Sequence, residues 1–247
     1  MTDYVQQYFS TVIDLLAVLG RESGAQITQA AELVAEAIQN DHDFLLFGSG
    51  HSTLIAQDAA GRAGGLVPAL ALRDISDGEA ERIEGIAEII LGYYKLVPGS
   101  VIIIISNSGI NAVPVEMAEL CKGAGLTVIA VTSLAHSKSV PARHSSGKKL
   151  YALADLVIDT HGVIGDAAIE LPGSTLKSGA VSTILGSAIV QAITVQAVVL
   201  LMEAGIEPPV WVSANLPDTG DHNRDLVVRY RPRQARYDRP IPIERQS

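Results

Sequence analysis

Val101-Ile-Ile-Ile-Ile-Ser-Asn-Ser-Gly109 joins an unbroken apolar run to a polar turn, and this junction decides the fold class of the 247-residue chain. Apolar strands without polar alternation are typical of parallel sheets that helices cover on both faces. Phe44-Leu-Leu-Phe47 has the same form and leads into a second turn of glycine and serine, Gly48-Ser-Gly-His-Ser52. The two stretches therefore predict buried parallel strands that end in short polar loops.

Apolar runs alternate with helical patterns along most of the chain. The predicted strands cover residues 44–47, 66–72, 101–105, 127–131 and 155–158. The predicted helices cover residues 5–20, 25–39, 53–63, 79–95, 112–124 and 179–203. This alternation predicts an α/β protein with a doubly wound, five-stranded parallel sheet of the flavodoxin or Rossmann type. Residues 1–40 are expected to pack as N-terminal helices on the 41–205 core domain or on a partner subunit, and residues 206–247 to form an extended C-terminal arm or tail.

The composition excludes several classes of protein. A formal net charge of −9 disfavours a nucleic acid partner, and Arg21 is the one cation in the two N-terminal helical segments, which does not fit a DNA-reading helix-turn-helix. The first residues lack the basic and apolar regions of a signal peptide. Polar residues interrupt the apolar stretch 179–202, which therefore resembles a buried helix more than a membrane span. We expect a cytoplasmic protein with neither a nucleic acid nor a membrane as its partner.

Both glycine and serine turns have the features of an anion-binding site. Ligands of doubly wound sheets bind at the carboxyl ends of strands, where glycines permit tight turns and helix N-termini present free N–H groups. We call residues 48–52 the first loop and residues 106–109 the second loop. The candidate ligand-binding residues are Gly48, Ser49, Gly50, Ser52, Ser106, Asn107, Ser108, Gly109 and Asn111. Either loop alone is equally consistent with a helix cap, whereas two loops at corresponding strand ends favour a ligand.

A dinucleotide site is the main alternative for the first loop. Gly48-x-Gly50 follows a strand, and Asp74 lies near the distance of a ribose-binding acid, but Thr53 occupies the position of the third glycine. The sequence has no Gly-Lys-Ser/Thr nucleotide loop, and its histidines do not have the spacing of metal ligands on one helix. We therefore expect neither a cofactor nor a metal ion.

Together with Thr132-Ser133, which follows the fourth predicted strand, the two loops resemble the sugar-phosphate loops of the sugar isomerase (SIS) domain family, to which phosphoheptose isomerase belongs. More narrowly, nearly the whole chain is similar to a bacterial subgroup, the UPF0309 proteins. The stretches that carry this similarity are Phe47-Gly-Ser-Gly-His-Ser52, Arg62-Ala-Gly-Gly65, Glu81-Arg-Ile-Glu-Gly85, residues 105–114, residues 132–137, residues 143–150, Gly165-Asp-Ala-Ala168, residues 207–215 and Asp221-His-Asn223. The resemblance implies an SIS domain at 41–205 and an anionic sugar ligand held in part by Thr132 and Ser133. SIS relatives include isomerases, an etherase, amidotransferase domains and sugar-sensing regulators, so the fold alone does not fix the activity.

The resemblance leaves the catalytic base open. Phosphoheptose isomerase-like and etherase-like relatives carry a glutamate ten residues after the loop serine, where this sequence has Arg62. The candidate catalytic residues are His51, Glu81, Glu84 and His222, and further options are Asp58, Glu79 and His161. Each has a structural alternative, because acids also stabilise the first turn of a helix and loop histidines also bind carbonyl groups.

The basic stretch that follows the fourth predicted strand offers a cation to the ligand. Arg143 and Lys148 are the candidates, either as part of a lid over the anion or in a solvated loop against a second subunit.

We expect a homo-oligomer, at least a dimer. The favoured function is binding of a phosphosugar and its aldose–ketose isomerisation through an enediol. A non-catalytic sugar-phosphate sensor and a sugar-acid ether lyase remain as alternatives.

Overall fold

In the computed structural model, which describes residues 3–217 and 220–234, five parallel strands form one sheet in the order β2-β1-β3-β4-β5. The strands are β1 (Phe44–Gly48), β2 (Ala69–Ala71), β3 (Val101–Ile105), β4 (Thr127–Thr132) and β5 (Leu156–Asp159). The described helices are α1 (Tyr4–Glu22), α2 (Gly24–Gln39), α3 (Thr53–Ala59), α4 (Ile86–Leu91), α5 (Ala112–Gly123), α6 (Leu134–Ser139), α7 (Leu150–Leu153), α8 (Ser182–Glu203) and α9 (Gly220–Gln234). The predicted α/β fold with a five-stranded parallel sheet is confirmed.

Apolar side chains cover both faces of the sheet. Alternate residues of a strand point to opposite faces, so Leu46 and Ile103 join the core with α2, α3 and α8, while Leu45 and Ile102 join the core with α4, α5 and α7. This two-sided burial explains why the strands show no polar alternation in the sequence.

Helix α8 lies in the first of these cores. Of the described helices, it alone is long and apolar enough to cross a membrane by length and composition. Leu185, Ile189 and Ile193 are fully buried, and α2 packs along the helix. A core helix of a globular domain has this same composition.

The largest difference from the predicted elements lies before α4. The predicted helix 79–95 is a helix only over Ile86–Leu91, and residues 75–84 form consecutive turns. Asp77, Gly78 and Gly85 have positive φ angles of 51°, 89° and 86°, which a right-handed helix does not contain. We call residues 74–85 the turn segment. Because of this conformation, Glu81 and Glu84 do not share the helix face that the sequence interpretation assumed.

The short helices α6 and α7, a hairpin and a C-terminal helix were not predicted. A hairpin of β6 (Ala167–Glu170) and β7 (Lys177–Ala180) precedes α8 and contacts α1. The predicted C-terminal arm is irregular over residues 206–217, except for a single bridge from Val210 to Leu66, and it then continues as α9. Residues 235–247 of the predicted tail lie outside the described residues.

Candidate functional site

The first and second loops lie side by side at the carboxyl edge of the sheet. Strands β1 and β3 are neighbours, and Gly48 is in register with Ile105, so the residues that follow each strand begin at the same level. The chain winds outward to β2 from β1 and in the opposite direction from β3, which makes this edge the switch point of the sheet. Such a point is where doubly wound proteins bind their ligands.

The first loop is fixed by close backbone contacts and by a buried carboxylate. A Cβ atom on Gly48 would lie 2.3 Å from the carbonyl oxygen of Ser52, so this position has no room for a side chain. The Ser49 hydroxyl donates to Asp74 Oδ2 at 2.6 Å. Asp74 Oδ1 accepts from the amide and hydroxyl of Ser76, at 2.9 and 2.7 Å. Ser49 therefore anchors the loop to the turn segment rather than offering its proton to a ligand.

Asp74 supports the first loop, a role that the sequence interpretation missed. Only 1% of it is exposed, and both of its oxygens accept hydrogen bonds from serines. Burial raises the pKa of Asp74, but the hydrogen bonds from Ser49 and Ser76 outweigh that effect and hold the pKa below its ordinary value of 3.8. An acid held in this way does not present a carboxylate to a ribose, which removes the main support for a dinucleotide site.

The second loop is fixed from β4. The carbonyl oxygen of Asn107 accepts from the hydroxyl of Thr132 and from the amide of Ser133, at 3.2 and 3.0 Å. The Ser133 hydroxyl donates to the carbonyl of Gly162 at 2.7 Å. Ser106 Oγ accepts from the amide of Gly109 and closes the turn. Thr132 and Ser133 thus support the second loop, and their hydroxyl protons are used within the protein.

Ser52 and Ser108 differ from the other loop serines. Both are half-buried, and within residues 3–217 and 220–234 their hydroxyls make no hydrogen bond. Both hydroxyls are therefore available to a ligand, and so is the proton of the Ser106 hydroxyl, which only accepts within the described residues. The buried Oδ1 of Asn107 has no hydrogen-bond partner among the described residues, and Asn107 lines a small cavity together with Ser52, Ile105 and Thr160.

Glu81, Asn111 and Arg143 form a hydrogen-bonded chain beside the loops. Asn111 is 6% exposed, its Nδ2 donates to Glu81 Oε1 at 2.7 Å, and its Oδ1 accepts from Arg143 Nη1 at the same distance. The backbone of Glu81 is held as well, because its carbonyl accepts from the amide of Val113 at 3.1 Å. The three residues come from the turn segment, the start of α5 and the stretch after α6, so the chain ties these elements together.

A polar cavity of about 410 Å³ opens between the first loop and the turn segment. Its lining residues are Gly50, His51, Asp77, Gly78, Glu79, Glu81 and Arg82. The turn segment lies directly on the loop, because a Cβ atom on Gly78 would be 2.5 Å from Gly50 Cα. The side chain of His51 is exposed and, among the described residues, free of hydrogen bonds. The structure thus brings two candidate catalytic residues, His51 and Glu81, to one cavity.

The other candidates lie elsewhere. Glu84 does not line this cavity and accepts hydrogen bonds from the amide and hydroxyl of Ser145, at 2.7 and 2.8 Å. Lys148 forms an ion pair with Glu119 at 2.8 Å. His222, on α9, has its Nε2 3.0 Å from the carbonyl oxygen of Val210 in the same chain. The sequence could not reveal these partners, because all of them are distant along the chain or lie in irregular segments.

The remaining options are also held by structural contacts. Arg62 forms an ion pair with Asp58, which occupies that carboxylate. The Nε2 atom of His161 is 3.0 Å from the hydroxyl oxygen of Ser23, at the junction of α1 and α2. Burial raises the pKa of the Cys121 thiol to about 12, so this cysteine is not a nucleophile near neutral pH.

Comparisons with known proteins show the family and the fold. A family model described as the SIS domain matches residues 7–133. A UPF0309 protein of Geobacillus kaustophilus is 38% identical over 238 residues, which cover 93% of this chain and 95% of that relative. A phosphoheptose isomerase of Francisella tularensis has a similar structure, with a TM-score of 0.57 and 18% sequence identity over 80% of this chain and 98% of that one. The NanR protein of Vibrio vulnificus, solved in complex with ManNAc-6P, has a TM-score of 0.50 and 14% identity over 94% of this chain and 70% of that one.

Proposed function

The chain belongs to the SIS domain family and to its UPF0309 subgroup, and from the geometry of its loops we propose that it binds an anionic sugar derivative, a phosphosugar, at the first and second loops. The observation that carries this proposal is the adjacency of the two loops, each with one hydroxyl that makes no hydrogen bond to the described residues. Hydroxyl groups and backbone amides bind a phosphate through hydrogen bonds, so the site does not need a positively charged side chain. They suit a chain whose net charge of −9 repels anions at long range.

The sugar hydroxyls of the ligand would occupy the polar cavity beside the first loop. Carboxylates accept hydrogen bonds from sugar hydroxyls, and Glu79 and Glu81 line this cavity together with Arg82. Binding the phosphate at the loops then orients the carbon chain toward Glu81 and His51, which supplies the positional advantage of an enzyme site.

For this ligand we infer aldose–ketose isomerisation through an enediol. The Glu81 carboxylate takes the proton from the carbon beside the carbonyl group and returns it to the neighbouring carbon. His51 moves a proton from the hydroxyl oxygen to the carbonyl oxygen, so no atom is gained or lost. Glu81 is favoured over Glu84 because it lines the cavity with His51. It also lies near Gly50, since a Cβ atom added to Gly50 would be 3.5 Å from Glu81 Oε2.

A non-catalytic sensor is the second candidate. Arg62 stands where related enzymes carry a glutamate and is paired with Asp58, and Glu81 is already bonded to Asn111. These contacts favour a site built for binding over one built for proton transfer. A sugar-acid ether lyase would need the same base as the isomerase, and no contact favours it over isomerisation.

We further propose that the active form is a homo-oligomer, at least a dimer. Val5, Phe9 and Ile13 follow one another at helical spacing on α1, and each is more than half exposed. An apolar cavity of about 370 Å³ lies beside them, between α1 and the hairpin. A stripe of this kind fits a subunit interface.

The binding proposal is tested by calorimetry of the parent protein with pentose, hexose and heptose phosphates and with the matching neutral sugars. We expect at least one phosphosugar to bind and its neutral counterpart to bind more weakly. Ser108→Ala removes a free hydroxyl donor, and hydrogen bonds to charged groups contribute about 1.5–3 kcal/mol, so its affinity should fall roughly 10- to 150-fold. Ser174→Ala, in the exposed turn between β6 and β7, is the matched control. Equal affinity of parent and Ser108→Ala for every phosphosugar would contradict the proposed site.

The catalytic proposal is tested by incubation of the bound sugar phosphate in deuterated water. An enediol route exchanges the proton beside the carbonyl with solvent, so deuterium should enter at that carbon. Glu81→Gln should slow the exchange about 10²–10⁴-fold while affinity changes much less. Tight binding without exchange in the parent would instead support the sensor.

A further inference from the structure

A second cluster of ionisable side chains lies behind the chain of Glu81, Asn111 and Arg143. Glu84 of the turn segment, Glu116 of α5 and His144 each offer one ligand atom, and these atoms all lie within 4.8 Å of one another. His144 Nε2 is 3.5 Å from Glu116 Oε1 and 3.9 Å from Glu84 Oε2. Neither contact is a hydrogen bond among the described residues.

The cluster is sheltered from water. The side chain of His144 is 10% exposed and that of Glu116 is 14% exposed, whereas Glu84 is 43% exposed. Among the described residues, His144 Nδ1 has a hydrogen-bond partner in Ser146, whereas Nε2 makes no hydrogen bond and faces the two carboxylates. Two carboxylates close to each other repel, and a cation between them removes that repulsion.

Neighbouring donors hold each side chain in place. The amide of Gly85 donates to both oxygens of Glu116, at 2.7 and 2.9 Å. The amide and hydroxyl of Ser145 donate to the two oxygens of Glu84, at 2.7 and 2.8 Å. On the far side of the imidazole ring, the Ser146 hydroxyl lies 2.7 Å from His144 Nδ1. Such outer contacts are what orient the ligands of a metal ion.

We propose that Glu84, Glu116 and His144 bind one divalent transition metal ion, Zn²⁺ or Mn²⁺, with water as the remaining ligand. One imidazole and two carboxylates suit these ions, whereas Mg²⁺ and Ca²⁺ prefer oxygen ligands throughout. Bonds of about 2.0–2.2 Å bring the ligand atoms of one ion roughly 3.3 Å apart. The observed separations of 3.5 and 3.9 Å are close to this spacing.

Metal binding requires a particular tautomer of His144. Coordination through Nε2 leaves the ring proton on Nδ1, where the Ser146 hydroxyl oxygen can accept it. The amide of Ser146 lies 3.1 Å from the same nitrogen and donates to it only in the other tautomer. Binding the ion therefore moves the ring proton from Nε2 to Nδ1 and exchanges one Ser146 contact for the other.

The position of the cluster gives the ion a structural role at the proposed sugar site. Glu84 lies three residues after Glu81, and His144 directly follows Arg143. Glu116 lies on α5 about one turn after Asn111. The ion would hold the turn segment, α5 and the stretch after α6 together one layer behind the residues that face the cavity. This inference concerns a separate site and does not depend on which sugar binds.

The test is a calorimetric titration of chelator-treated, full-length, tag-free protein with Zn²⁺ and with Mn²⁺, in the absence of sugar. We expect one ion per chain. Glu116→Gln and His144→Asn each remove a ligand atom, and the affinity should fall by more than the roughly 10- to 100-fold that the loss of an outer partner costs. Ser146→Ala removes such an outer partner, so its affinity for the ion should fall by roughly 10- to 100-fold. Glu119→Gln, one turn further along α5, should bind as the parent does.

The proposal is overturned if the parent binds neither ion, or if Glu116→Gln and His144→Asn bind as tightly as Glu119→Gln. Should either of these two variants fail to fold, as judged by circular dichroism, Glu84→Gln and Ser146→Ala carry the same test, because both positions are largely exposed. Unchanged affinity in that pair would also overturn the site. Bound Co²⁺ provides an independent readout, since its visible absorption should change in Ser146→Ala only if His144 is a ligand.

Discussion

Replacement of Asp74 tests how the first loop is built. Asp74→Ala leaves three donors without their acceptor, namely the Ser49 hydroxyl and the amide and hydroxyl of Ser76. Each orphaned buried donor costs about 1–3 kcal/mol, but Ser49 and Ser76 are half-buried and water can reach part of each. We therefore expect the free energy of unfolding to fall by about 3 kcal/mol. Asp74→Asn keeps one oxygen for Ser76 and should cost about 1 kcal/mol, mainly through the loss of the charge.

The measurement is urea unfolding followed by circular dichroism at one fixed protein concentration. A loss of about 3 kcal/mol should lower the midpoint by about 1 M urea or more. Asp77→Asn is the matched control in the same turn segment, since Asp77 is exposed and asparagine tolerates its positive φ of 51°. An Asp74→Ala midpoint equal to that of Asp77→Asn would refute the anchoring role of the carboxylate.

Comparison of the parent with Asp74→Asn gives a pH test with a defined sign. The folded-state pKa of Asp74 is held below the ordinary value of 3.8, so the ionised group stabilises the fold above that pH. This contribution is lost as the pH falls below 3.8 and the folded protein takes up the proton. The stability difference between the parent and Asp74→Asn should therefore be constant near neutral pH and shrink under acid conditions. A difference that grew on acidification would contradict the direction of the shift.

Two further predictions concern the first loop and the subunit interface. Gly48→Ala places a Cβ 2.3 Å from a backbone oxygen and should destabilise the protein by about 3 kcal/mol or more in the same urea assay, whereas Gly123→Ala, whose Cβ meets nothing within 4 Å, should be neutral or slightly stabilising. The double variant Phe9→Glu with Ile13→Glu should convert the oligomer to a monomer in light scattering, with Gln7→Glu as an exposed control on the same helix; a parent protein that is monomeric at micromolar concentration would rule out the interface.

The sheet, and the edge at which the two loops meet, were predictable because a strand that is buried on both faces consists of apolar residues without polar alternation. Val101-Ile-Ile-Ile-Ile105 has one physical reading, a strand covered on both faces, and the loops that follow such strands must meet at one edge. The same reasoning brought the first and second loops together correctly. It could not show which loop serines donate to the protein itself, since the partners of Ser49 and Ser133 are Asp74 and Gly162, far away along the chain.

The turn segment was the weak point of the prediction. Apolar residues at helical spacing suggested a helix from residue 79, but Asp74-Ile-Ser-Asp-Gly78 is also a strong turn signal, and the side chain of Asp74 caps its own turn through Ser76. The local turn chemistry outweighed the periodicity. A prediction that included this turn would not have placed Glu81 and Glu84 on one helix face, and it would have started α4 near Gly85.

The pairing of α2 with α8 has a consequence for folding during synthesis on the ribosome. The apolar face of α2 is complete once residue 39 has been made, but its partner begins only at Ser182. At about 5–20 residues per second, the ribosome needs on the order of ten seconds to bridge that interval. During this time strands made before α8 can cover α2 only in part, and a chaperone that binds apolar nascent segments would protect the exposed remainder. Slow codons between the coding regions of α2 and α8 should lengthen the exposure and increase aggregation.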